Sequence, residues 1–152
     1  MSQISLLEFA DRMAEIMPVV MREFARRQVD ELYRGKITLP QCLILEYLHQ
    51  GGESKMTDLA VFMHVTTAAM TGIGDRLVRG GYLIRAYDPE DRRIIKVKLT
   101  ARGNELVKKF TQQRRQMVIK IFGKISIEDR QDYLRILMQI KEILVAGNGN
   151  LK

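Results

Sequence analysis

Apolar residues recur three or four positions apart at Leu6, Ala10, Met13, Met17, Val20 and Phe24, which predicts a helix over about 5–34 with one face to cover. Pro18 falls inside it. An interior proline removes a hydrogen bond at a cost of ~3 kcal/mol, so a kink or break is expected near Met17. Arg34-Gly35-Lys36 should end the helix. Thr38 is placed to cap a second helix carrying Gln41, Leu43, Ile44, Tyr47 and Leu48, which Gly51-Gly52 would stop. Thr57 would cap a third over 58–63, and Thr66 or Thr67 a fourth through Ile73, Leu77 and Val78, ending at Gly80-Gly81.

The period then changes from helical to alternating. Residues 82–87 are short, apolar and β-prone, Asp88-Pro89 supplies turn chemistry with proline suited to the first central position, and Ile95, Val97 and Leu99 alternate with Lys96 and Lys98. A hairpin follows, with one packed face, one charged face and Arg92 and Arg93 at its tip. Thr100 can cap a long basic amphipathic helix through Leu106, Val107, Phe110, Met117, Val118 and Ile121. Ser126-Ile-Glu-Asp129 resembles a capping box with Asp in place of Glu, and it opens a last helix through Tyr133, Leu134, Leu137, Ile140 and Leu144. The tail from Gly147 to Asn150 should be mobile. The fold class is therefore mainly α with a small β-hairpin wing.

Composition narrows the function. At 152 residues, 46% hydrophobic and 28% charged, the chain reads as one domain able to bury a core. A formal charge of +7 favours a polyanion, nucleic acid or an anionic membrane surface. The apolar runs are too short to span a bilayer, and Glu8 and Asp11 stand where a signal peptide would be basic and apolar, so a cytoplasmic protein without a membrane partner is expected. A single cysteine, Cys42, excludes an intrachain disulfide; a buried structural thiol is its plainer role and a redox sensor the sharper one. His49 and His64 make no metal cluster, and no nucleophile stands with a base, so neither metal, cofactor nor enzyme activity is expected. Gly72-Ile-Gly74 lacks the third glycine of a dinucleotide loop, since Leu77 stands there, and no strand precedes it.

The helices expected over 58–63 and 67–79 meet across His64-Val65-Thr66, a helix-turn-helix spacing in which the second helix can lie in a major groove. With the hairpin directly after it, this is a winged helix. Thr66, Thr67, Ala68, Ala69 and Thr71 are small residues that let the helix N-terminus approach phosphates closely. Arginines at a wing tip suit a minor groove, where A·T-rich sequence concentrates negative potential.

Further motifs run along the chain: Thr38-Leu-Pro-Gln41 with Leu45, Met56-Thr57-Asp-Leu59-Ala60, Asp75-Arg76-Leu77, Gly81-Tyr82-Leu83-Ile84-Arg85, Asp91-Arg92-Arg93, and Leu99-Thr100-Ala-Arg-Gly103. Together they resemble the MarR family of bacterial transcriptional regulators over nearly the whole length. The resemblance implies a single MarR-type domain over 1–152, with a winged helix-turn-helix lobe over about 38–100 and dimerisation helices over about 5–34 and 104–146. It implies a homodimer gripping double-stranded DNA at a pseudo-palindromic operator, as a repressor released by a small aromatic or phenolic effector bound between the dimer domain and the winged lobe. Carried over by position, Arg93 would be the minor-groove arginine, Asp91 its orienting carboxylate and Arg92 a neighbouring phosphate contact. Arg76 would meet the backbone or a base edge, and Thr38 and Lys55 would meet phosphates. Met13, Met17 and Met21 would pack at the dimer interface or line the effector pocket.

Position 72, where some relatives carry arginine, is Gly72. Gly72 and Gly74 each cost ~1 kcal/mol of helix propensity relative to alanine. So slim a helix should read bases weakly and lean on DNA shape and on thymine-methyl contacts from Ala68, Ala69 or threonine methyls. The same glycines leave open a winged-helix protein-interaction module without specific DNA reading.

Overall fold

The computed structural model describes residues 4–32 and 37–147; the expected helix end at Arg34-Gly35-Lys36 and the tail at 148–150 lie outside the described residues. The elements run α1 (Leu6–Leu32), α2 (Leu39–Gly51), β1 (Ser54–Lys55), α3 (Met56–Phe62), α4 (Thr67–Arg79), β2 (Leu83–Tyr87), β3 (Ile95–Leu99), α5 (Ala101–Phe122) and α6 (Ile127–Gly147). Two compact units divide between Gln113 and Arg114, inside α5.

In the first unit α2, α3, α4 and the start of α5 close over a three-stranded antiparallel sheet of order β1-β3-β2. Ile44, Leu45, Leu59, Met70, Leu77 and Val97 are wholly buried, and each such aliphatic side chain stabilises the fold by about 1.5–3 kcal/mol. Leu83 pairs with Leu99 and Tyr87 with Ile95. Cys42 is buried in this core.

Caps and turns fix where the helices start and stop. Thr38 precedes α2, with its N–H donating to Gln41 Oε1 at 2.8 Å. Thr66 Oγ1 accepts from the Ala69 N–H at 3.1 Å, and Thr100 Oγ1 from the Gly103 N–H at 3.0 Å. α4 ends with Gly81 at φ 75°, its N–H on Val78 O and the Tyr82 N–H on Leu77 O, the paired bonds of a left-handed C-terminal cap. Thr100 Oγ1 also donates to Gly81 O at 2.6 Å, which ties the end of the hairpin to the end of α4. A Cβ on Gly103 would stand 2.2 Å from Tyr82 O, so only glycine lets α5 start this close to the hairpin.

Two expectations are corrected. Of the kink or break expected near Met17, the break does not occur, and α1 runs through Pro18: one bond is lost, whereas the flanking residues each add one once the helix has nucleated. Thr57 does not cap α3; the helix begins at Met56 with Lys55 as cap, because Ser54 and Lys55 pair with Val97 and Lys96 as a strand that the sequence pattern did not reveal. Two residues are too few to show an alternating period.

α1 leaves much of its apolar stripe uncovered, with Leu6, Met17 and Val20 exposed. In the second unit the Phe122 and Tyr133 rings stack at 5.3 Å, and Ser126 Oγ accepts from the Asp129 N–H at 3.0 Å to open α6. The box closes through the side chains, the Ser126 hydroxyl donating to Asp129 Oδ2 at 2.6 Å. No residue of α6 is buried.

Candidate nucleic-acid interface

The wing loop spans residues 88–94 and contains two successive turns. The Ile94 N–H donates to Asp91 O at 2.9 Å, closing a reversal with Arg92 and Arg93 at its centre. Asp88 Oδ1 accepts from the Glu90 N–H at 2.9 Å, bridging Pro89. The tight reversal therefore falls at Arg92-Arg93 rather than at Asp88-Pro89, since the Asp88 carboxylate supplies the acceptor around the proline.

Asp91 grips Arg93 twice, through Nε at 3.1 Å and Nη2 at 3.2 Å, and also accepts the Arg93 N–H at 3.0 Å. The Arg93 side chain is nonetheless 91% exposed. A long cation held in a carboxylate fork while facing solvent is preorganised for a partner, because its rotamer freedom is already restricted. The Arg93 guanidinium and then its amide lower the Asp91 pKa, so the fork stays ionised.

Lys96 departs from the expected exposed stripe. Its Nζ lies 3.2 Å from Asp88 Oδ2 and 3.3 Å from Glu53 Oε1 and is half-buried. β1 covers that edge of β3 and brings Glu53 over the lysine. Asp88 first and Glu53 second raise the Lys96 pKa; the Glu90 N–H first and Lys96 second lower that of Asp88.

Beside the wing, α3 turns into α4 through His64 at φ 53°. Thr66, Thr67, Ala68, Ala69, Thr71 and Arg76 are all exposed. The Thr71 hydroxyl donates to Thr67 O at 2.9 Å, so its proton is committed within the helix, and a phosphate, which needs donors, gains nothing from it. Gly72 faces open space, with nothing within 4 Å of a built Cβ. Gly74 is different: a Cβ there would stand 2.8 Å from Met56 Cε, so its absence serves packing.

A cleft of about 320 Å³ between α3, α4 and the wing is lined by Lys55, Thr57, Thr67, Thr71, Arg85 and Arg93, with Met56, Ile94 and Ile95 as its apolar part. Of the residues proposed from sequence, the fold brings Lys55, Thr67, Thr71 and Arg93 together here. Thr38, Thr66, Ala68, Ala69, Arg76, Asp91 and Arg92 do not line it. Thr57 and Arg85 do, without having been singled out as site residues; Thr57 was read as a cap, and Arg85 as one letter of a motif. Arg85 lies two residues beyond buried Leu83 and opposite buried Val97, on the face of the hairpin that turns toward α4, and that alternation was the available signal.

The family model described as MarR family matches residues 37–95, which span α2 to the wing. The helix-turn-helix transcriptional regulator YhbI of Bacillus subtilis (strain 168) is 33% identical over 101 residues, 66% of this chain and 65% of YhbI, just under two thirds of that relative's length. The transcriptional repressor YetL of the same organism is 27% identical over 141 residues, 93% of this chain and 79% of YetL. Streptococcus pneumoniae FabT, solved in complex with DNA, superposes with a TM-score of 0.79 over 90% of this chain and 98% of FabT. At 18% identity that likeness shows the fold.

Proposed function

We infer that the chain is a member of the MarR family of transcriptional regulators and acts as a sequence-specific, homodimeric repressor on double-stranded DNA in the cytoplasm. The observation that carries the reading is the Asp91–Arg93 fork: a solvent-facing arginine held at the tip of a wing, next to a helix whose exposed face is small enough to enter a groove closely. Arg93 would enter the minor groove, Lys55, Thr57 and Arg92 would meet phosphates, and α4 would lie in the adjoining major groove.

Dimerisation is supported by the apolar residues left in water. Leu134, Ile143 and Leu144 on α6 and Leu6, Phe9 and Met21 on α1 are all exposed, more apolar surface than a lone subunit ordinarily presents. A two-fold pair would place its α4 helices on half-sites ~34 Å apart. Release by a small aromatic or phenolic effector completes the reading, supported by the family resemblance and by the adaptable stripe of Met13, Met17 and Met21 on α1.

Arg93→Ala should lower affinity for a duplex containing the operator by about tenfold or more while melting temperature and dimer mass stay unchanged. Log affinity of the unsubstituted protein should fall with log salt at a slope of about −0.9 per phosphate engaged. A protein that enriches no sequence from a random duplex library, and binds duplex without salt dependence, would remove the reading and favour a protein-interaction module.

A further inference from the structure

A side-chain link crosses from the wing to α4. Arg85 on β2 pairs with Asp75 on α4, ten residues earlier in the chain. Its guanidinium passes over Gly74, where a built Cβ would stand 3.9 Å from Arg85 Nη2. Arg85 also lines the cleft that Lys55 and Arg93 line.

The pair braces a junction. α4 and β2 are joined through Gly80-Gly81 and Tyr82, with Gly81 in the left-handed region, so the angle between helix and strand rests on links across that corner. Side chains 34% and 42% exposed make a pair too well solvated to contribute much to folding. Nor does the carboxylate help a polyanion approach: it cancels one cation of the cleft. What it does supply is a fixed direction for Arg85 and, through it, a fixed wing.

We propose that Asp75 is a positioning residue which, through Arg85, holds the wing at a set angle to α4 and so governs discrimination between DNA sequences rather than overall grip. The proposal rests on the DNA-binding reading above. Phosphate attraction tolerates a loose wing, whereas matching a major groove and the next minor groove together does not.

The test uses the full-length protein, a duplex enriched by it from a random library, and a shuffled duplex of the same composition. Asp75→Asn should lower affinity for the enriched duplex by about tenfold, and leave affinity for the shuffled one unchanged or raised, with a salt slope steeper by up to about 0.9 as Arg85 becomes free to meet phosphate. The double exchange Asp75→Arg with Arg85→Asp should recover discrimination that Asp75→Asn loses. Parallel loss on both duplexes, or an unchanged ratio, would overturn the proposal. Amide hydrogen exchange of β2 and β3 without DNA tests the brace separately: it should quicken in Asp75→Asn and slow again in the double exchange, and unaltered exchange overturns the brace. A protein that enriches no sequence would defeat the DNA-binding reading, with the exchange result still deciding the brace.

Discussion

His64 adopts a backbone conformation that most side chains avoid. At φ 53° it closes α3 with its N–H on Val61 O and the Val65 N–H on Ala60 O, the position that glycine usually fills in such a cap. Histidine tolerates the left-handed region better than β-branched residues do. His64→Gly should therefore leave stability level or raise it by up to ~1 kcal/mol, whereas His64→Val should cost about 1–2 kcal/mol, as read by chemical denaturation. Gly72 makes the opposite case. Because a Cβ there meets nothing, Gly72→Ala should add ~1 kcal/mol of stability, yet weaken operator binding where the helix backbone lies against the groove. Equal or better binding would show that α4 does not approach so closely. The Asp91–Arg93 pairing was legible in the sequence because its members are two residues apart. The Asp75–Arg85 pairing was not, since nothing in a ten-residue separation says that a corner folds one over the other.

Among the elements, the wing carries the clearest dependence on pH. Asp88 and Asp91 have pKa values lowered from 3.8 by the hydrogen bonds and cations around them, so their contribution is full above that value and is lost as pH falls through the lowered ones. Lys96 is raised from 10.5; its contribution is full below that value and is lost as pH rises through the higher one. The wing should be most ordered between these limits, and NMR titration should place the acid loss below 3.8 for both aspartates. Midpoints at or above that value would mean that the hydrogen bonds do not persist in solution. Helix starts were legible at Thr66, Thr100 and Ser126 because a hydroxyl beside a helical pattern satisfies amides that otherwise have no partner; at Thr38 the Gln41 side chain accepts the cap residue's own N–H. Thr57 failed by the same logic: a two-residue strand took up the chain just before it, and no local pattern announces a strand that short.

For the whole molecule, the decisive question is what covers α6. A 21-residue helix with no buried position is unstable as a solitary amphipath, and the proposed pairing with a second copy would cover it. Leu134→Glu with Leu144→Glu should weaken self-association by about a hundredfold or more, on the scale of two lost anchor contacts, with operator affinity falling alongside; sedimentation at micromolar concentration reads the first and fluorescence anisotropy the second. An unchanged dimer would move the interface elsewhere. The sequence by itself determined the helices, the hairpin, every proposed cap but Thr57 and the charged tip, because periodicity, capping and turn preference act within a few residues and need no distant partner. Tertiary structure alone decided that β1 exists, that Lys96 is clasped by Glu53 and Asp88, that Gly74 makes room for Met56, and that Thr57 and Arg85 join Lys55 and Arg93 around one cleft. Those contacts join residues far apart along the chain, and only the packing of the core fixes their separation in space.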